Sequence, residues 1–391
     1  MEFPDFFQFH LPTRIVFGKG LSADFSAELA ELKVTRAFLV TEKFLHTLGI
    51  PERVMTALQA AGVAVAGCFD EVVPNSEVAL CERGAELARK AGADCVVAVG
   101  GGSSIDTAKA IALLLSEGGR LLDYQGAQTL TRPLKPMVAI PTTAGTGSEV
   151  TMVAVINDPE SESKISLVDR FLTPALAVLD PELTLTLPKR ITAATGMDAL
   201  THAVEAYVDI ESSPFSDALA AQAIRLVSKL LLAAVTEGGD VEVRSGMQIA
   251  STLAGVAFNH SMVGVVHGMA HALGGMCHVV HGEANAMMLP FGMEYNLDAR
   301  ERKFAEVARF MGIDTRGLSE RDAALAGIDH VRQLNQKLHE LAGLPTALSQ
   351  VGVPRDKLAS VAGLAMTDGS MFYNPREVVE DEVLGMLERA H

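Results

Sequence analysis

The sequence predicts an α/β N-terminal domain with a mostly parallel sheet over residues 1–187, followed by an all-α C-terminal domain over residues 188–391. Three observations carry this. Up to about Pro188, short β-branched runs alternate with amphipathic stretches, the pattern of a parallel sheet whose strands are joined by crossover helices. From Ile191 onward the apolar residues fall at helical spacing, as in Ala203, Val204 and Tyr207, then Leu219, Ala223, Leu226 and Leu230. A chain of 391 residues, 49% of them apolar, is also more than one hydrophobic core accommodates.

In chain order, Ala37 to Thr41, Val63 to Phe69, Cys95 to Val99, Met137 to Pro141 and Leu176 to Asp180 read as strands. The polar stretch Asn157 to Lys164, with Asp158 before Pro159, reads as a hairpin or loop inside the first domain. No fixed-period repeat, low-complexity tract or long linker separates the halves. They are therefore expected to pack directly together, with a ligand in the cleft between them.

A formal net charge of -16 argues against nucleic acid and anionic membrane as partners, because both are polyanions. No apolar run approaches the roughly 18 to 20 residues of a membrane helix, and Met1 to Phe9 carries no basic targeting pattern. Cys68, Cys81, Cys95 and Cys277 form no CxxC pair, which fits small buried residues in a reducing, cytoplasmic setting.

Two glycine-rich turns carry phosphate-binding chemistry. Val96 to Val99 runs as a buried strand into Gly100-Gly101-Gly102 and a helix starting near Ser103, where backbone N–H groups and the helix terminus favour an anion. The second turn, Pro141 to Thr151, sets five hydroxyl side chains and two glycines directly after a strand, enough to hold a pyrophosphate, a ribose or an amide. Neither matches GxGxxG or a Walker motif, and Glu42 precedes the glycines rather than following them.

Histidines cluster in the second half. His260, His267, His271, His278 and His281 share one short stretch, and His202 follows Asp198 by four residues, so that pair shares a helix face. His267 and His271 have the same spacing. In one unbroken helix His281 would stand roughly 21 Å beyond His267, so Gly274-Gly275 is expected to break the helix and turn the chain back. Asp198, His202 and two of the later histidines can then hold one ion, and spacing alone does not choose among His267, His271, His278 and His281. Nitrogen-rich ligation with one carboxylate suits Fe, Zn, Co or Ni.

These segments resemble the iron-containing, group III alcohol dehydrogenases. The motifs are the turn Gly100 to Lys109, the loop Pro141 to Glu149, Asp198 to His202, His267-Gly268-Met269-Ala270-His271, and His281 to Pro290. They run in order from Arg14-Ile15-Val16-Phe17-Gly18-Lys19-Gly20 to Asn374-Pro375-Arg376, nearly the whole chain. The resemblance implies a Rossmann-like, dehydroquinate-synthase-like first domain and a helical metal-binding second domain. It implies metal ligands Asp198, His202, His267 and His281, with His271 near the nicotinamide and the reacting oxygen rather than on the metal; a histidine there is either the catalytic relay that passes the proton to solvent or a residue packed behind the ligands. Cofactor contacts implied are Asn75, Gly101, Gly102, Ser103, Thr142, Thr143, Thr146, Lys164 and Leu179. The implied metal is Fe2+, with Zn2+ or another divalent ion as alternatives, and the implied substrate is a small primary alcohol, diol, aldehyde or semialdehyde. A homodimer or larger homo-oligomer also follows from it.

Two positions depart from the family pattern: Glu42 stands where many members have Asp, and Ser76 follows Asn75 where they have Pro. A carboxylate at 42 can accept ribose hydroxyls and repels a 2′-phosphate, so NAD is expected in preference to NADP. The rival reading, a lyase of the dehydroquinate-synthase kind, needs a basic cluster for a polyanionic substrate. Thr195 to Tyr207 and Asn259 to Pro290 contain no Lys or Arg. A non-catalytic protein with a structural metal would call for cysteines, and Cys277 stands alone there.

Overall fold

The computed structural model describes residues 4–161 and 163–391. Met1–Phe3, part of the opening read for a targeting signal, and Glu162, inside the expected hairpin, lie outside the described residues. Strands β1 (Arg14–Phe17), β2 (Arg36–Val40), β3 (Ala64–Phe69), β4 (Cys95–Gly100), β6 (Met137–Pro141) and β9 (Leu176–Leu179) form one parallel sheet in the order β1-β9-β6-β4-β2-β3. The five expected strands are all present. The edge strand β1 adds a sixth, from a segment with no alternation to mark it.

Alternation along β4 explains the layers. Cys95, Val97 and Val99 enter one core with Leu29, Val54 and Leu58 of α1 (Ser26–Leu32) and α3 (Ile50–Ala60). Val96 and Ala98 enter the opposite core with Cys81, Ala85, Ile105 and Ile111 of α4 (Val78–Lys90) and α5 (Gly102–Glu117). Both faces of a parallel sheet are thereby covered, which is why its strands read as continuous apolar runs. The short α2 (Lys43–Thr47) follows β2. The expected hairpin is the turn between β7 (Val153–Asp158) and β8 (Ser163–Val168), antiparallel with Asn157 opposite Lys164, and the two-residue β5 (Gly126–Ala127) completes this second sheet.

The second unit is helical: α6 (Lys189–Val208), α7 (Pro214–Thr236), α8 (Val241–Ser261), α9 (Val265–Cys277), α10 (His281–Phe310), α11 (Glu320–Ala342), α12 (Leu358–Ala365) and α13 (Glu380–Ala390). The segment up to Phe9 and residues 144–146 cluster with these helices, while His10–Thr143 and Gly147–Leu185 make up the sheet unit. The partition is therefore not a single cut in sequence.

Two expectations are corrected. The chain does contain a helix long and apolar enough to cross a membrane, α7. Ala220, Ala223, Ile224, Val227 and Leu231 bury one face in the helical core, and Gln222, Arg225 and Lys229 line an exposed face, the pattern of an amphipathic core helix. The expected break at Gly274-Gly275 is absent too. α9 runs on through both buried glycines to Cys277, and the reversal falls on His278, which caps the helix in the left-handed conformation at φ 57°.

Candidate active site

Helix α6 supplies Asp198 and His202 one turn apart, and its next residue on that face is Glu205. α8 and α9 meet at a bend of 103°, with Met262 at φ 65°, and this sharp entry places His267 in the first turn of α9. His281 is the first residue of α10. One ligand atom from each of Asp198, His202, His267 and His281 lies within 4.8 Å of the others, so the four can hold a metal ion. His281 Nε2 stands 3.5 Å from Asp198 Oδ1; ligands bonded at about 2.1 Å to a tetrahedral ion lie about 3.4 Å apart. Burial pulls the His202 imidazolium down to about 3 against the raising effect of Asp198, so the ring is held neutral, as ligation requires.

The surroundings fit a cation. Asn285, fully buried one turn into α10 from His281, places its Nδ2 2.7 Å from Asp198 Oδ1, 3.1 Å from His267 Nε2 and 3.3 Å from His281 Nε2. Its Oδ1 is buried without a hydrogen-bond partner. Glu205 accepts the His267 Nδ1 proton and also the Val266 N–H, at 2.8 Å. That bond fixes the tautomer and turns Nε2 toward the ligand cluster. Glu205 thus does two jobs, because the first N–H groups of α9 have no intrahelical partner; Asn374 Oδ1 takes the adjacent Val265 N–H at 3.2 Å. Burial pushes the Glu205 carboxyl up to about 7, against the pull of the backbone N–H groups of Val266, Gly264 and His267. Gly264 is what allows the approach: a Cβ there would lie 2.9 Å from Asn374 Oδ1 and 3.2 Å from Glu205 Oε1.

The other histidines separate. His271 stacks on His281, ring centroids 5.3 Å apart at 14°, and its Nδ1 lies 2.8 Å from Asp368 Oδ2. Burial disfavours charge on Asp368, but His271 and Ser370 outweigh it and hold the carboxyl below the usual range. His278 is exposed at the C-cap of α9, and His260 stacks on Phe9 at 4.0 Å. Among the apolar residues near the motifs, Phe258 stacks on His202 at 4.3 Å, Met269 is buried in the core and Phe372 is exposed. The basic residue Arg190, from outside the Lys- and Arg-free segments, is bound to Glu283 at 2.5 Å.

In the sheet unit Glu42, Gly101, Gly102, Ser103, Thr142, Thr143 and Leu179 lie at or just past the carboxyl ends of β2, β4, β6 and β9, where open α/β sheets bind ligands. β4 ends at Gly100 and α5 begins at Gly102, one residue earlier than expected. Its N-cap Gly101 makes no side-chain cap bond, so the first N–H groups of α5, including that of Ser103, have no intrahelical partner. A Cβ on Gly101 would stand 3.2 Å from the Thr143 methyl, which sets the glycine turn against the hydroxyl loop. Glu42, at the N-cap of α2, is raised by burial against the hydrogen bond its carboxylate accepts from the Gly101 N–H. Thr142 donates its N–H to Gly100 O at 3.0 Å, and Leu179 closes β9 beside β6. Asn75 takes a left-handed φ of 54° ahead of α4, and Lys164 stands on β8 opposite Asn157. Thr146 lies in the stretch 144–146 that clusters with the helices.

Not all five hydroxyls of that loop are free for a ligand. Lys109 is fully buried and donates to Ser148 Oγ at 2.9 Å, Thr151 Oγ1 at 3.0 Å and Val153 O at 2.7 Å, while Ser148 donates to Asp106 at 2.5 Å. Burial pulls Lys109 down to about 8, opposed by Asp106 and Glu149. Lys109, Asp106, Ser148 and Thr151 pin the loop to α5, a structural task.

Sequence reading missed Glu205, Asn285 and Asp368. Glu205 was within reach, since Asp198, His202 and Glu205 follow one another on a single helix face, and Asn285 sits inside the His281 to Pro290 motif. Asp368, 97 residues from His271, has no local signal.

Comparison with known proteins gives a consistent result. The family model "Iron-containing alcohol dehydrogenase" matches residues 12–181, and "Fe-containing alcohol dehydrogenase family, C-terminal" matches residues 192–391. The chain is 41% identical to 1,3-propanediol dehydrogenase of Citrobacter freundii over 386 residues, 98% of each chain. It is 37% identical to the NAD-dependent methanol dehydrogenase of Bacillus methanolicus, over 98% of this chain and 99% of that one. A crystal structure of a 1,3-propanediol oxidoreductase superposes with a TM-score of 0.94 at 40% identity, covering 99% of this chain and all of the other. With the ligand cluster and the glycine turn on the same chain, these matches identify it as a member of the iron-containing alcohol dehydrogenase family, an oxidoreductase that acts on CH–OH groups with NAD.

Proposed function

We propose that this chain interconverts a small primary alcohol or diol with its aldehyde, using NAD and a divalent ion, Fe2+ first, held by Asp198, His202, His267 and His281. The convergence of these four ligand atoms within 4.8 Å carries the reading. An ion held by these four residues would supply Lewis-acid chemistry at the substrate oxygen, lowering the alcohol's pKa in oxidation and polarising the carbonyl in reduction. Asn285 steadies Asp198, and Glu205 keeps Nε2 of His267 unprotonated and aimed at the ion. His271, with Nδ1 engaged by Asp368, has Nε2 left, which would take the alcohol proton when a bound NAD supplies the hydride acceptor. A dinucleotide would be held by the N–H groups at Gly101, Gly102 and Ser103, by Thr142, Thr143 and Thr146, and by Asn75, Lys164 and Leu179. The relatives are named as dehydrogenases of methanol and of 1,3-propanediol, which supports a short alcohol or diol as the substrate here. A homodimer or larger homo-oligomer in the cytoplasm is part of this reading. Its support is the edge strand β1, with Ile15 and Phe17 exposed, and four free cysteines.

The test is NADH and NADPH oxidation by anaerobically purified protein loaded with Fe(II) or Zn(II), across short aldehydes and hydroxyaldehydes, with a chelator control. Chelator-sensitive NADH oxidation is expected; a metal-loaded, NAD-binding protein inert toward every aldehyde would overturn the reading.

Two variants probe its parts. Glu42→Gln keeps an acceptor for Gly101 but removes the charge that repels a 2′-phosphate. The ratio of kcat/KM for NADPH to that for NADH is expected to rise at least about tenfold, and an unchanged ratio would remove Glu42 from cofactor selection. Glu205→Gln can still accept from His267 but sets an amide NH2 against the Val266 N–H. Metal affinity, read by competition with a chelator, is expected to fall about 10- to 100-fold. Wild-type affinity would show that Glu205 only caps α9.

A further inference from the structure

We propose that Asp368 is the positioning residue of the proton step, fixing the tautomer and direction of His271 from the turn that follows α12; this rests on the reading of His271 as the relay. The His271 ring is constrained at two places. Its Nδ1 lies 2.8 Å from Asp368 Oδ2, and its face stacks on His281 at 14°. A carboxylate only accepts, so the proton of the neutral ring sits on Nδ1 and Nε2 presents its lone pair. Without Asp368 the ring can adopt the other tautomer or rotate, and either change removes the base.

Asp368 is itself held. Its Oδ1 accepts the Ser370 N–H at 2.9 Å and the Ser370 hydroxyl at 2.6 Å, so both oxygens are committed and the carboxylate cannot swing away. The residue caps the 3-10 turn Gly369–Tyr373, and that turn seats on α9 at Gly268, one turn before His271. A Cβ on Gly268 would lie 2.3 Å from Met371 Cε and 3.0 Å from Ser370 Oγ. The glycine between the two histidines of His267-Gly268-Met269-Ala270-His271 thus admits the turn that brings Asp368 to the ring. α12, which leads into the turn, packs on α9 as well. The exposure of the pair, 15% for His271 and 20% for Asp368, leaves it a route for proton exchange with water.

The chemistry balances simply: oxidation of the alcohol yields one hydride to NAD and one proton, and the proton passes to Nε2 and then to solvent. The part of Asp368 in that step is to hold the ring in place through the Nδ1 hydrogen bond.

The experiment compares Asp368→Asn, Asp368→Glu, His271→Ala and the Asp368→Asn/His271→Ala pair as metal-loaded enzymes. It reads kcat, KM for NAD and alcohol, metal content and the solvent deuterium effect on kcat. His271→Ala and Asp368→Asn are each expected to lower kcat about 100-fold with KM for NAD and metal content unchanged. The pair should be no slower than His271→Ala alone, and Asp368→Glu should recover part of the rate. Wild-type kcat in Asp368→Asn beside a slow His271→Ala would overturn the positioning role and leave the relay standing. Wild-type kcat in His271→Ala would overturn both. Loss of metal or of folding in Asp368→Asn, with no recovery in Asp368→Glu, would make Asp368 structural and overturn the proposal.

Discussion

His267→Ala is expected to release the bound metal and to lower NADH-dependent aldehyde reduction by about a thousandfold or more. The size follows from two losses. A Lewis acid on the reacting oxygen contributes several kcal/mol to the transition state, and each 1.36 kcal/mol is a factor of ten. Removing the imidazole also takes away the ligand whose Nε2 lies 3.1 Å from Asn285, and it deprives the buried Glu205 of its Nδ1 partner. Burying a carboxylate with one bond fewer is costly in its own right. Metal content by elemental analysis after anaerobic loading, together with NADH turnover, decides the matter. Chelated wild-type protein should match the variant, and a variant that keeps one metal per chain and its rate would remove His267 from the ligand set.

Gly282→Ala should damage both stability and metal binding. A Cβ at 282 would lie 2.4 Å from the Ala194 carbonyl oxygen and 2.8 Å from its carbon. Both atoms are backbone of α6, so no side-chain rotation relieves the clash and α10 must back away from α6. Asp198 follows Ala194 by one turn, and His281 precedes Gly282 directly. The displacement therefore opens the 3.5 Å approach of His281 to Asp198. Overpacking of this kind costs about 1–3 kcal/mol, and metal affinity should fall with stability. Thermal unfolding of the metal-free protein and chelator competition read the two effects separately. Gly239→Ala is the control, since nothing lies within 4 Å of a Cβ there. Equal Tm and equal affinity for the two variants would show that helices α6 and α10 tolerate separation at the site.

The fold was largely legible because its two periodicities are strong. β4 is buried on both faces and reads as an unbroken apolar run, and the helices after Ile191 carry apolar residues three and four apart. β1 escaped because an edge strand with Ile15 and Phe17 exposed has neither pattern. The helix α7 was legible from Leu219, Ala223, Leu226 and Leu230, but its membrane-length apolarity was not: Gln222, Arg225 and Lys229 interrupt its apolar run in sequence yet fall on one exposed face in the helix.

By itself the sequence determined the two fold classes, the glycine turn after β4 and the residue types of the site, because each of these is written within a few positions. Motifs recognised as a set chose His267 and His281 from histidines that spacing left equivalent, and the 4.8 Å cluster places those two with Asp198 and His202. Only the tertiary structure decided which groups stand behind the ligands. Glu205, Asn285, Asp368 and the glycines at 264, 268 and 282 act through contacts between helices. The chain reverses at His278 rather than at Gly274-Gly275 because α9 runs on through both buried glycines and its left-handed C-cap falls on His278. Such choices depend on which surfaces meet, and one-dimensional spacing does not contain that information.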